Sequence, residues 1–177
     1  SGEPSFLLAS NFGLGTATPA SLLSVGDSSQ FQVNTSGKVA QYNGIATVSN
    51  GIPTELATVD LTAQSMAIAA TTLFEVPATG AGLYRISYVA KVTRTATISS
   101  QLGGSTGFQI IYTDKDDSVA VTTVATAGPT TNSTQTYISG VIIVPAKAST
   151  NIQYKIDYAS SGATSMQYNL YIKCEAL

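Results

Sequence analysis

The stretch Leu83-Tyr84-Arg85-Ile86-Ser87-Tyr88-Val89-Ala90-Lys91-Val92 constrains the fold more than any other feature of this chain. It sets Tyr84, Ile86, Tyr88, Ala90 and Val92 on one side of an extended backbone, with Arg85, Ser87 and Lys91 on the other. Side chains alternate across a strand with period two, whereas a helix would scatter these apolar residues around its circumference. The same alternation runs through Ile152-Gln153-Tyr154-Lys155-Ile156-Asp157-Tyr158. It recurs in Met166-Gln167-Tyr168-Asn169-Leu170-Tyr171-Ile172-Lys173-Cys174, where Tyr171 alone falls on the polar side. Half-buried strands of this kind are typical of antiparallel sheets.

Further strands are expected at 56–60, 72–76, 108–114, 119–124 and 137–144. Turn clusters separate them: Pro77-Ala78-Thr79-Gly80, Leu102-Gly103-Gly104-Ser105, Gly128-Pro129-Thr130-Thr131-Asn132 and Ser160-Ser161-Gly162. Only 62–72 is dense enough in Ala for a helix. Its i, i+4 spacing is poor, so strand or turn is expected there. The fold class is all-β: an antiparallel β-sandwich of the jelly-roll kind, preceded by an extended N-terminal arm with short strands.

That arm, 1–52, differs in texture from the jelly-roll domain expected over 53–177. It is rich in Gly, Ser, Thr and Asn, with short apolar pulses at Leu22-Leu23-Ser24-Val25, Phe31-Gln32-Val33, Val39 and Ile45. Asn34-Thr35-Ser36-Gly37 reads as a turn between two of them. Pieces this short bury no core alone, so a shaft-like segment packed on a neighbour or on copies of itself is expected.

Over 137–144 the half-buried rule fails. Val141, Ile142, Ile143 and Val144 are apolar on both faces, and a strand apolar on both faces is covered on both sides. One face meets the core; the other must meet a partner subunit or the arm. Charged residues make up 10% of the chain, against roughly 25% in an ordinary domain. Instead, 24 Thr and 21 Ser supply the polar surface. Interfaces are depleted in charge, so a homo-oligomer is expected, generically a twofold dimer.

The chain has no His, no Trp and one Cys. That excludes Ser-His-Asp and Cys-His nucleophile systems, His- or Cys-cluster zinc sites and an intrachain disulfide. Cys174 reads as a small buried strand residue. Asp114, Asp116 and Asp117 offer oxygen ligands suited to calcium, but without the Gly and distal Glu of a helix-loop-helix site they read as a hairpin turn. Ser36-Gly37-Lys38 has the wrong spacing for a Ser-x-x-Lys dyad. Gly13-Leu14-Gly15 and Gly80-Ala81-Gly82 lack the strand-to-helix setting of a phosphate loop and read as turns. No catalytic, cofactor-binding or metal residue is assigned, and no cofactor.

Tyr84, Tyr88, Tyr154, Tyr158 and Tyr168 fall on apolar strand faces and are expected in the core. Tyr42, Tyr137 and Tyr171 lie off that phase, free to stack on a sugar or partner, although no sugar site is assigned. The basic residues Lys38, Arg85, Lys91, Arg94, Lys115, Lys147, Lys155 and Lys173 are dispersed and the net charge is −2, which argues against nucleic acid. No apolar run reaches the length of a membrane span. Phe6-Leu7-Leu8-Ala9 lacks a basic leader, and the opening Ser1-Gly2 reads as a processed or excised chain.

At Leu73-Phe74-Glu75-Val76-Pro77, continuing through Gly80-Ala81-Gly82-Leu83-Tyr84-Arg85-Ile86-Ser87-Tyr88, the chain resembles trimeric jelly rolls of the complement-globular-head and tumour-necrosis-factor type. Ser139-Gly140-Val141-Ile142 and Tyr168-Asn169-Leu170-Tyr171-Ile172 continue the resemblance. More specifically, several segments resemble C-terminal domains of fibre and other virion proteins of tailed bacteriophages and prophages. They are Ala57-Thr58-Val59-Asp60-Leu61-Thr62-Ala63-Gln64, Ile68-Ala69-Ala70-Thr71-Thr72-Leu73-Phe74, Gly107-Phe108-Gln109-Ile110, Ser160-Ser161-Gly162-Ala163 and Lys173-Cys174-Glu175-Ala176-Leu177. Phe31-Gln32-Val33-Asn34-Thr35-Ser36-Gly37-Lys38-Val39 is similar to the shaft strands that precede such tips.

The resemblance covers about 30–177 and implies a homotrimer in place of the generic dimer. It implies a non-enzymatic role in a virion: a fibre tip or capsid fibre joined to other virion proteins, with host cell-surface glycan among its partners. Loops 103–106 and 114–118 are expected to present the contact surface. A bacterial carbohydrate-binding or adhesin domain of the same fold is the alternative. A capsule depolymerase, which would need a cleft with paired carboxylates, is the third reading.

Overall fold

The computed structural model describes residues 11–27, 30–33, 35, 39–42, 45–46, 54–123 and 126–177. Strands account for all regular structure among them, and no helix occurs there. The chain divides into two units, 1–53 and Thr54–Ala176.

The first unit is a sheet of five short strands in sequential order: β1 (Phe12–Leu14), β2 (Leu23–Val25), β3 (Phe31–Val33), β4 (Val39–Tyr42) and β5 (Ile45–Ala46). β1 and β2 run parallel and the remaining pairs antiparallel. The four apolar pulses therefore each seed a strand. Gly13-Leu14 is a correction: it belongs to β1, and only Gly15, at φ +81°, turns the chain. A glycine between apolar neighbours still pairs through its backbone, so the side-chain pattern alone hid this strand. The turn expected at 34–37 lies largely outside the described residues. Ser24 is the one fully buried residue among those described in this unit, while Phe12, Leu14 and Leu22 are exposed. The unit has no apolar core of its own there, as its short pulses imply.

The second unit is a β-sandwich. One sheet has the order β12-β8-β15-β6, built from β6 (Thr54–Gln64), β8 (Gly82–Arg94), β12 (Tyr137–Ala146) and β15 (Gln167–Ala176). The other has the order β11-β10-β13-β7, built from β7 (Ile68–Glu75), β10 (Phe108–Thr113), β11 (Ala120–Thr122) and β13 (Asn151–Ile156). All pairings in both sheets are antiparallel. The alternation read from the sequence is the burial pattern. Tyr84, Ile86, Ala90 and Val92 of β8, and Tyr168, Leu170, Ile172 and Cys174 of β15, point inward. They meet Phe108 and Ile110 of β10 and Ile152, Tyr154 and Ile156 of β13 in one core. Each fully buried aliphatic side chain there contributes roughly 1.5–3 kcal/mol. Tyr88 and Tyr158 are only partly buried at its margin.

Several boundaries differ from expectation. The stretch 62–72 is the end of β6, a turn, and the start of β7. Leu102 and Ser160-Ser161, expected in turns, belong to a separate two-stranded ribbon of β9 (Ser99–Leu102) and β14 (Tyr158–Ser161). Two of the four residues in each strand are serine, so neither carries the apolar–polar contrast that marks a strand. Of the strand expected at 119–124, Ala120–Thr122 is present, and Val124 lies outside the described residues.

Candidate functional site

Strand direction gives the sandwich two chemically different ends. The unit begins at Thr54 and finishes at Ala176, which pair with each other. The turns at 77–81, 114–119 and 147–150 lie at this same end, joined by hydrogen bonds such as Lys115 N to Pro145 O and Ser149 N to Val76 O. Glu75, Asp114, Lys115, Asp116, Asp117 and Lys147 cluster among them. At the opposite end lie 65–67, 95–107, 126–136 and 158–166, which hold no charged residue. Their neighbours Arg94 and Asp157 are committed to loop bonds. The Arg94 guanidinium donates to Ser165 O at 3.0 and 3.2 Å.

The Asp157 carboxylate accepts from the Tyr158 and Ser105 backbone N–H at 2.9 and 3.1 Å, and from the Ser105 hydroxyl at 3.3 Å. Chiefly the Tyr158 N–H, with help from Ser105 and against some desolvation, holds its pKa below the usual 3.8. Asn132 clamps the same end, donating to Ala96 O and accepting from Ala96 N and the Ser100 hydroxyl. Loops 103–106 and 114–118 therefore stand at opposite ends, and no single contact surface on one chain includes both.

The acidic loop is a turn. The Asp116 N–H donates to Asp114 Oδ1 at 2.8 Å and the Val119 N–H to Asp117 Oδ1 at 2.9 Å. Lys115 pairs with Asp116 at 2.6 Å. Among the described residues no group of three potential metal ligands converges. Cys174 is fully buried, and burial, with the Glu175 carboxylate adding to it, pushes its thiol up to about 11.

Strand β12 sits at a sheet edge with no charged residue in Tyr137–Ala146. Its outward side chains are open: Tyr137 is 62% exposed, Val141 61% and Ile143 57%. Of the strand read as apolar on both faces, Ile142 is half-buried and Val144 fully buried. By register Val141 stands opposite Ser87 and Ile143 opposite Arg85, while Val89 stands between Ser139 on one side and Tyr171 on the other. Val89, Tyr171 and Leu83 are all exposed. On this face Arg85 pairs with Glu175 at 2.8 Å and Lys173 with Glu55 at 2.6 Å, and Lys91 and Asp60 also stand there by register.

Beside β12 lies a cavity of about 550 Å³, lined by Tyr88, Phe108, Thr126, Tyr137, Ser139 and Ile142 among others. Tyr88 and Phe108 stack across the two sheets with centroids 4.0 Å apart and planes 18° off parallel. Tyr88 also lies over Gly140, its cross-strand partner; the absence of a side chain there gives the ring its place. A second hollow of about 240 Å³ shares Tyr137 and is lined by Pro129, Thr131, Ser133, Gln135 and Thr136. No carboxylate lines either hollow. Of the three tyrosines off the core phase, Tyr137 and Tyr171 are exposed; the side chain of Tyr42 lies outside what is described.

No family model matches this chain, and no curated protein matches it.

Proposed function

We propose that the chain is a self-associating, non-enzymatic adhesion module, a homotrimeric jelly roll at the tip of a bacteriophage fibre or capsid fibre. The observation that carries the reading is the uncharged edge strand β12, with Val141 and Ile143 open to solvent beside Val89, Leu83 and Tyr171. An uncharged sheet edge with exposed apolar side chains, closed at its far end where Ala146 bridges Asp114, calls for a partner, and a second copy of the chain supplies one. The first unit points the same way, since Phe12, Leu14 and Leu22 stand exposed without a core. Eight strands in two antiparallel sheets, in the orders β12-β8-β15-β6 and β11-β10-β13-β7, support the jelly-roll reading. The sequence resemblance supplies the threefold symmetry and the virion setting.

Light scattering over a hundredfold dilution tests it. The expected mass is three times 18.2 kDa, unchanged on dilution. The double variant Val141→Asp/Ile143→Asp should give a folded monomer, because it places two unpaired charges in the contact. A wild-type monomer overturns the trimer. The cavity beside β12 would then favour the second reading, a monomeric carbohydrate-binding or adhesin domain. Binding of fluorescently labelled protein to a panel of bacterial cells tests adhesion itself, and a protein that decorates none refutes it.

A further inference from the structure

We propose that the copies close head to tail through the outward face of the sheet β12-β8-β15-β6, with Lys91 of one copy paired to Asp60 of the next; this rests on the trimer reading above and names the residues that decide how the copies meet.

Symmetry sets the first condition. A twofold contact joins identical surfaces, so a β12 edge meeting a second β12 edge gives dimers. A ring of three joins two different surfaces of each copy, so β12 needs a second, complementary surface on its neighbour. The sheet has β12 at one edge and β6 at the other. Three such sheets, set as the sides of a triangle with their outward faces toward the axis, bring the β12 side of each copy to the β6 side of the next. Val89 and Tyr171, exposed on the two central strands, then occupy the middle.

Charge sets the second. Six charged side chains stand on this face: Glu55, Asp60, Arg85, Lys91, Lys173 and Glu175, three of each sign. Arg85 with Glu175 and Lys173 with Glu55 are paired within the chain. Lys91 and Asp60 are left over. Both are exposed, and neither side chain has an ion-pair or hydrogen-bond partner among the described residues. They are opposite in sign and stand on opposite sides of the face, Lys91 on β8 beside β12 and Asp60 on the edge strand β6. Within one chain β15 lies between them. A head-to-tail neighbour supplies each with its partner.

Register sets the third. Lys91 stands opposite Asn169 of β15, and Asp60 opposite Tyr171, two positions further along the same strand. Two positions are about 7 Å of strand, a step that a lysine side chain spans. Rotation about an axis along the strands preserves height, so Lys91 of one copy arrives level with Asp60 of the next. A twofold contact through β12 would gather both Lys91 side chains on the joined side and leave both Asp60 carboxylates outside. The pair therefore favours the ring over the dimer, because like charges brought together count against the wrong arrangement.

Subunit exchange between separately labelled donor and acceptor proteins, followed by energy transfer at low salt, tests the pair. Releasing one copy from a ring of three breaks two contacts, so each substitution acts twice. Lys91→Asp and Asp60→Lys should each speed exchange about tenfold or more, by setting like charges face to face. The double variant Lys91→Asp/Asp60→Lys restores opposite signs and should return to within about threefold of the wild type. Salt at about 0.5 M should shrink the differences. Lys155→Asp, the same change of charge on β13 of the other sheet, should exchange like the wild type. Lys91 and Asp60 are exposed, so their variants should fold as the wild type does, and circular dichroism checks this.

Wild-type exchange in either single variant, or a double variant that stays fast, overturns the pair while the trimer stands. A wild-type mass of one or two copies by light scattering overturns the trimer reading itself, and the pair falls with it.

Discussion

Replacing Gly140 by alanine tests the packing beside β12 directly. A Cβ at that position would lie 2.9 Å from Tyr88 Cε1, 3.0 Å from its Oη and 3.1 Å from its Cζ. Carbon pairs prefer about 3.5–4.0 Å, so the ring or the strand has to move. A free tyrosine ring would swing away at little cost. This one is stacked on Phe108 at 4.0 Å between centroids, and Phe108 is only 3% exposed in the core. Displacing both rings is an overpacking change, typically costing about 1–3 kcal/mol. Against it stands the gain of roughly 0.5–1 kcal/mol from removing a flexible glycine from a strand interior.

The balance is a net loss of about 1–2 kcal/mol. For a unit of this size that lowers Tm by several degrees, on the order of 3–10 °C. Scanning calorimetry at matched protein concentration measures it, with urea titration checking that the m-value is unchanged. Tyr88→Leu removes the obstruction, so Gly140→Ala in that background should be neutral or stabilising. The cycle should show a coupling of about 1–3 kcal/mol. A Gly140→Ala variant that melts at or above the wild type, with Tyr88 present, refutes the reasoning.

Three further outcomes follow from the site geometry. Asp157 has a lowered pKa in the folded chain, so the stability it contributes is fully present above 3.8 and is lost as pH falls through its native value. Urea midpoints measured from pH 5 to 2 should therefore fall more steeply for the wild type than for Asp157→Asn. Cys174, buried and with its thiol pushed up to about 11, should resist Ellman's reagent at pH 8 until the protein is unfolded. Rapid labelling of native protein would contradict its place in the core. Tyr168→Phe deletes the hydroxyl that donates to Met66 O at 2.8 Å, tying the β6–β7 turn to the core. The expected cost is about 1 kcal/mol by denaturant titration, with faster amide exchange confined to that turn.

Much of this fold is legible in the residue order because alternation is a local property of an extended backbone. A strand bearing Tyr84, Ile86, Ala90 and Val92 on one phase can bury only that phase, and it does. The same logic separates Tyr137 and Tyr171, exposed, from Tyr84, Tyr154 and Tyr168, buried. It fails where contrast is absent. Ser99–Leu102 and Tyr158–Ser161 pair as strands rich in serine, and Gly13 hides a strand by contributing no side chain.

What no local pattern contains is neighbourhood. Tyr88 and Phe108 belong to different sheets, and Tyr137 joins them only because β12 pairs with β8 across more than forty residues of intervening chain. Whether loops 103–106 and 114–118 share a surface depends on strand direction, which sends one to each end of the sandwich. Period-two patterning is decided within a few residues by backbone geometry. Cavities, matched charges and the uncharged end arise from long-range pairing, whose register the tertiary structure alone selects.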